Sequence, residues 1–153
     1  MAKYVKEVKI ISRVCEDAGH TCDHPQKIVS LWKRCVETAS WFDPEKEFVA
    51  SFNLNTRLQV KNWQLVSVGT INETAVTPRE AFRAAVATLA YSIIVVHNHP
   101  SGNPSPSPAD LSFTRRMRDA GGVLDIKLQD HIIIGDGRNG NLPYYSFLEA
   151  GYI

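Results

Sequence analysis

The chain has no apolar run approaching the roughly 20 residues that span a bilayer. Its opening residues, Met1-Ala2-Lys3-Tyr4-Val5-Lys6-Glu7, put a glutamate where a signal peptide carries its apolar centre. Neither membrane insertion nor secretion is expected. Cysteine is scarce: three in 153 residues, an odd count that does not suggest a disulfide framework. A reducing cytoplasm is the expected setting. Net charge is almost nil, with Lys+Arg 17 against Asp+Glu 16. That balance gives no support to a dominant nucleic-acid or other polyanion-binding role, although it leaves room for a local patch. Repeats, low-complexity segments and a domain-splitting linker are also absent.

What is present is ordinary for a soluble domain: 44% hydrophobic and 22% charged residues. The length suits one domain over residues 1–153, large enough to bury a real core. Residues 4–11 partly alternate and predict an edge strand. Cys15, His20, Cys22 and His24 follow in a polar loop. They could hold a second, structural metal, but without a CxxC pair the segment reads as a loop. Pro25 opens a helix to about Ser40, with Ile28, Val29, Leu31, Trp32, Cys35, Val36 and Ala39 on its apolar stripe. Cys35 on that stripe reads as a core thiol rather than a nucleophile.

Glu47–Leu54 and Leu58–Val68 predict a hairpin turning at Asn55-Thr56-Arg57. Residues 69–74 read as loop. Thr77-Pro78-Arg79-Glu80 is a capping box, predicting a helix to about Ala90 with Phe82, Ala85, Val86 and Leu89 buried. Residues 92–97 form an uncharged β-branched run, expected to be a strand buried on both faces. Ser107-Pro108-Ala109-Asp110 opens another helix, with Leu111, Phe113 or Thr114, Met117 and Ala120 inward. Gly121-Gly122 is expected to stop it. Residues 123–129 and 131–134 are expected to form two strands or one bent strand, followed by a turn-rich loop over 135–141 and a last short strand at 144–147. The order β-α-β-β-α-β-α-β-β predicts an α/β domain with a mixed sheet.

The chemistry concentrates where the buried strand ends. His97 and His99, two apart on a strand, leave from the same side. A Pro-rich turn then leads to Asp110 at the start of the next helix. Two imidazoles and a carboxylate make a three-ligand zinc set with a fourth position left for water, the pattern of a catalytic rather than a closed structural site. Each half also has a purely structural explanation. The histidines can be satisfied polar residues at a strand end, and Ser107 and Asp110 an N-cap and its partner. Convergence on one loop beyond a buried strand favours the metal.

His97-x-His99, seven residues, then Ser107-x-x-Asp110 resembles the JAMM (MPN+) metalloprotease motif. Val96-His97-Asn98-His99-Pro100-Ser101-Gly102 and Asp130-His131-Ile132-Ile133-Ile134-Gly135-Asp136-Gly137 resemble blocks of the RadC family, as do Ser67-Val68-Gly69-Thr70 and Pro78-Arg79-Glu80. The resemblance covers roughly residues 45 to 148. It implies the JAB/MPN fold, a cytidine-deaminase-like mixed sheet flanked by helices, and one zinc ion held by His97, His99 and Asp110. It also implies an upstream glutamate that holds the metal's water and acts as general base. By position that is Glu47, with Glu45 the runner-up. Glu80 and Glu73 fit less well, being accounted for by a capping box and a loop. Ser107 is expected to hydrogen-bond the oxyanion, because a capping role leaves its hydroxyl proton free.

His131 and Ser101 are expected behind the ligands rather than among them. Ser101 and Asn98 are expected to orient the loop. Arg115, Arg116 and Arg118 read as a solvated face first and as a patch for an acidic partner second. RadC-like proteins usually carry an additional N-terminal helical domain, for which residues 1–44 are too short. The implied activity is hydrolysis of a peptide or isopeptide bond in a protein substrate. The alternative is a non-catalytic binding module associated with DNA-processing or mobile-element machinery. A nucleobase deaminase is the third reading, but the chain lacks the His/Cys/Cys set and the PCxxC it needs.

Overall fold

The computed structural model describes residues 20–69 and 76–153. The predicted strand at 4–11, Cys15, and Glu73 with its loop neighbours lie outside the described residues. The elements are α1 (Pro25–Trp32), a π-helical turn (Lys33–Glu37), β1 (Glu47–Leu54), β2 (Val60–Gly69), α2 (Pro78–Ala81), α3 (Arg83–Ala87), β3 (Ser92–Asn98), α4 (Pro108–Leu124), β4 (Lys127–Ile134) and β5 (Tyr144–Ser146). The five strands form one sheet in the order β2-β1-β3-β4-β5. Only β3 and β4 run parallel, joined by α4 as a parallel pair requires. The fold is thus a mixed α/β sheet flanked by helices, as the sequence predicts.

The β-branched run of β3 occupies the sheet centre, and all seven of its residues are buried. Its alternate side chains feed two cores. Ile94 and Val96 join Phe48, Ala50, Phe52, Leu54, Ile132 and Ile134 beneath the apolar stripe of α1. Ile93 and Val95 join Val49, Phe82, Ala85, Met117 and Leu128 beneath α2–α4. Period-two alternation on a central strand requires this division when helices cover both faces.

Three expectations are corrected. The first helix changes register after Trp32, and the indole Nε1 donates to Glu37 Oε1 at 3.1 Å, a five-residue spacing that suits the π turn. The helix expected over 78–90 is two short pieces. Gln64 of β2 donates from Nε2 to the Glu80 and Ala81 carbonyls, both at 3.0 Å, taking acceptors that a continuous ladder would use. Lys61 holds the Thr88 and Leu89 carbonyls at the far end. Leu89 adopts φ 51° and is 86% exposed, and Val86 is also exposed; neither is core.

Gly121-Gly122 does not stop α4, which runs on to Leu124 and ends on left-handed Asp125. The chain then folds back so that Ile126 N donates to Gly121 O at 3.0 Å. A Cβ on Gly121 would lie 2.5 Å from the Ile126 carbonyl. That glycine serves close approach rather than termination, and β4 accordingly starts at Lys127. No helix among the described residues is long and apolar enough to cross a membrane.

β4 carries an irregularity with consequences for the site. Ile93 pairs with Leu128, but Ile94 pairs with Asp130, leaving Gln129 as an extra residue. One extra residue reverses the faces of everything after it. His131 is thereby set beside Val95 and faces α4, while Asp130 faces the other way. Asp130 is buried, with Ser146 Oγ, Leu148 N and His131 N donating to its carboxylate. Burial nevertheless raises its pKa to about 6, against 3.8 ordinarily.

Since the folded-state value lies above the unfolded one, the native state binds the Asp130 proton more tightly. The resulting stability is complete below the unfolded value and is lost as pH rises through about 6. The stability of the protein minus that of Asp130→Asn should therefore fall by about 2–3 kcal/mol between pH 4 and 7. Urea denaturation of both proteins across that range measures it, and a pH-independent difference would contradict the assignment.

Candidate metal centre

β3 delivers His97 from its last buried turn of pleat, and the chain leaves the sheet at Asn98. Gly102, at φ 77°, lets the turn close with its N–H donating to His99 O at 2.9 Å. A Cβ on Gly102 would lie 2.4 Å from Asp136 Oδ2, so the turn and the 135–143 loop interlock. α4 then begins at Ser107, whose cap aims Asp110 back at the strand end. His97 Nε2 and His99 Nε2 come within 3.1 Å. Asp110 Oδ1 lies 3.2 Å from His97 Nε2, and Oδ2 lies 3.4 Å from His99 Nε2. Among the described residues these three form the one His/Cys/Asp/Glu group able to hold a metal ion.

The capping box and the ligand set, which the sequence presents as competitors, coexist. Asp110 Oδ2 accepts from Ser107 N and Ser107 Oγ, both at 2.7 Å, while Oδ1 faces His97. A carboxylate has two oxygens, and each function takes one. Ser107 requires a correction. Its Oγ accepts from Asp110 N at 3.2 Å and also donates to Asp110 Oδ2. The hydroxyl proton expected to remain free is engaged, and must leave Asp110 to reach a substrate oxygen.

Electrostatics follow from this packing. Burial opposes ionisation of Asp110, but the adjoining imidazoles of His97 and His99 and the Ser107 hydroxyl hold its pKa far below the usual carboxylate range. Burial likewise works against a charged His99. The Asp110 carboxylate, the Asn103 carbonyl and Glu47 outweigh it and raise the His99 pKa. His99 Nδ1 lies 2.9 Å from Asn103 O. A carbonyl only accepts, so the neutral ring carries its proton on Nδ1 and turns a bare Nε2 lone pair toward Asp110 and His97. Lone pairs and a carboxylate converging at such distances repel unless a cation or a proton lies between them. The donor set therefore fits a metal ion.

Glu47, the first residue of β1, is one-fifth exposed with Oε1 4.0 Å from His97 Nε2. It stands beside the ligand group, farther out than the ligands are from one another. Glu45 accounts for none of this geometry: it is exposed, with its amide on Asp43 Oδ1. Glu80 caps α2 through Thr77. Asn98 holds Glu47 in place. Its Oδ1 accepts from Phe48 N at 2.8 Å and its Nδ2 donates to Lys46 O at 2.9 Å, gripping the peptides on either side of Glu47. Asn98 thus does more than orient the loop, the role expected from its position in the sequence. That it alternates with His97 and His99, and so points to the opposite side, is the signal that it serves a neighbouring strand.

His131 is fully buried behind His97, its Nε2 2.9 Å from His97 Nδ1. Burial and the neighbouring His97 hold its pKa well below the usual imidazole range, keeping the ring neutral. Phe147 stacks on it at 4.6 Å and Phe113 meets it edge-on at 5.2 Å. Ser101 is exposed, and its Oγ accepts from Asn103 N, so its bond is to the turn rather than to the ligand group. In the upstream loop His24 Nδ1 caps α1 by accepting from Gln26 N, and burial pushes the Cys22 thiol up to about 11. A buried neutral thiol and a capping imidazole are poor ligands as they stand.

A family model described as RadC-like JAB domain matches residues 22–152. The UPF0758 protein of Caldanaerobacter subterraneus subsp. tengcongensis is 46% identical over 105 residues, covering 67% of this chain and 45% of that protein. The UPF0758 protein of Geobacter sulfurreducens is 43% identical over 111 residues, 72% of this chain and 46% of its own length. That of Shouchella clausii is 48% identical over 93 residues, 61% and 40% respectively. The chain thus spans less than half the length of these relatives.

Proposed function

The chain belongs to the RadC-like JAB domain family, and on that premise we propose that it is a zinc-dependent peptidase or isopeptidase. One observation carries the reading: the close spacing of His97 Nε2 to the ligand atoms of His99 and Asp110. Zinc bonds of about 2.0–2.1 Å in a tetrahedron require ligands roughly 3.3 Å apart. His97 Nε2 offers 3.1 Å to His99 Nε2 and 3.2 Å to Asp110 Oδ1, and one ligand atom from each of the three residues lies within 4.8 Å of the others. With three protein ligands, a fourth position stays open for chemistry.

Bound zinc supplies Lewis acidity and brings the pKa of water to about 7. Glu47 accepts the proton of the attacking water and delivers it to the leaving amine as the amide bond breaks. Asn98 keeps that carboxylate beside the ligand group by holding its two flanking peptides. Ser107 Oγ, once rotated off Asp110, donates to the oxygen of the tetrahedral intermediate. His99 stays aligned through Asn103.

Protein purified without chelators should contain about one zinc per chain by elemental analysis. It should cleave members of a fluorogenic peptide and isopeptide panel. Chelation should stop cleavage, and added zinc should restore it. Protein that is metal-free as purified and takes up no zinc would overturn the reading. The non-catalytic alternative predicts zinc without cleavage, and binding to duplex DNA near 50 mM salt would support its nucleic-acid form.

A further inference from the structure

His97 poses a problem that His99 does not. Its Nδ1 meets another histidine, and an imidazole nitrogen can donate or accept. Nothing in that pair alone decides which nitrogen of His97 bears the proton. The next link decides it. His131 Nδ1 lies 2.7 Å from Thr114 Oγ1, and Thr114 Oγ1 lies 2.7 Å from the Asp110 carbonyl oxygen. Two oxygens that close require a proton between them, and a carbonyl has none to give. Thr114 therefore donates to Asp110 O and must accept from His131 Nδ1–H. His131 Nε2 is left bare and accepts from His97 Nδ1–H. His97 Nε2 is then bare too, and it is the atom beside Asp110 and His99.

We infer that Thr114, acting through His131, is a positioning residue that sets the tautomer of His97 and keeps its Nε2 lone pair turned into the metal centre. The inference rests on the metal-centre reading above. Thr114, His131 and His97 are all buried, so water is not at hand to substitute for a missing partner. The aromatic rings of Phe147 and Phe113 hold the His131 plane. Both ligand imidazoles thus end on a main-chain carbonyl, His99 directly and His97 through two relays. The second carbonyl belongs to Asp110, so the relay starts and finishes on metal ligands.

Thr114→Val preserves the shape and deletes the acceptor. His131 Nδ1–H would then be buried without a partner, and the cheaper state moves that proton to Nε2. His131 would donate to His97 Nδ1, and His97 would carry its proton on Nε2, where it blocks ligation. Binding zinc would first have to reverse both tautomers.

The test is zinc affinity by competition with a chromogenic chelator, together with ¹⁵N NMR of the histidine rings. Thr114→Val should weaken zinc binding about 10–100-fold. Thr114→Ser, which keeps the hydroxyl, should return it to within a few-fold of the parent. In the zinc-loaded parent protein, His131 should be protonated on Nδ1 and bare on Nε2. Thr114→Val that binds zinc like the parent, or a parent His131 protonated on Nε2, would overturn the inference and leave the metal centre standing. A parent that binds no zinc would overturn both. The NMR arm uses the parent alone, so a poorly folding variant does not remove the test.

Discussion

Asp110→Asn should strip zinc from the protein while leaving the start of α4 intact. The expectation comes from the division of labour between the two carboxylate oxygens. Asparagine has one acceptor oxygen, which can take the bonds from Ser107 N and Ser107 Oγ that Oδ2 now accepts. Its amide nitrogen then replaces Oδ1, 3.2 Å from His97 Nε2. An N–H pointing at the imidazole lone pair donates to it and cannot share a cation with it. Structural zinc is worth roughly 10–16 kcal/mol in all. Losing one ligand of three should therefore weaken binding by on the order of 10³-fold.

Asp110→Ala should lose zinc equally and also lose the cap, costing about 1 kcal/mol of stability in the metal-free protein. Chelator competition and urea denaturation without metal read the two effects separately. Zinc binding by Asp110→Asn at the parent's affinity would remove Asp110 from the ligand set. Equal metal-free stability of the Asn and Ala variants would show that the cap is worth nothing here.

Glu47→Gln should do the reverse: keep zinc and lose hydrolysis. Glu47 Oε1 stands 4.0 Å from His97 Nε2, beyond the 3.1 Å and 3.2 Å that separate that atom from His99 Nε2 and Asp110 Oδ1. Its removal subtracts no ligand. Glutamine keeps the size and the strand position fixed by Asn98. It cannot accept and release a proton, and general acid–base catalysis contributes about 10²–10⁴-fold. Cleavage of whichever panel substrate the parent hydrolyses should fall by that factor, with about one zinc still bound per chain. Turnover at the parent rate would remove Glu47 from the mechanism. Loss of zinc together with activity would make it a ligand instead.

The contrast between these two variants tracks what is legible in the sequence alone. His97, His99 and Asp110 are legible because their convergence is local. A central strand ends, a Pro-rich turn follows and a capped helix begins, all within 14 residues of chain. The hairpin, the buried β3 and the mixed sheet are legible for a related reason, since period-two and uninterrupted apolar runs report burial directly. Glu47 came only from family resemblance, because 50 residues of chain separate it from His97 and no local rule connects them.

Helix continuity failed where another element intervened. Gln64, on β2, interrupts the helix after Ala81, and no residue of that helix announces it. The glycines at 121 and 122 looked like a stop because a glycine pair usually is one, yet the packing of Ile126 over Gly121 explains the first of them.

The sequence by itself determined the candidate ligand group, the strand that carries it and the capped helix that returns to it, because those depend on periodicity, caps and turns over short spans. Only the tertiary structure decided how the set is held. The extra residue at Gln129 swings His131 onto the site's face, Asn98 reaches across to Lys46 and Phe48, and Thr114 closes on both His131 and its own helix. Each of these is a contact whose existence depends on strand register and on which face a side chain takes, and a one-residue slip undoes it.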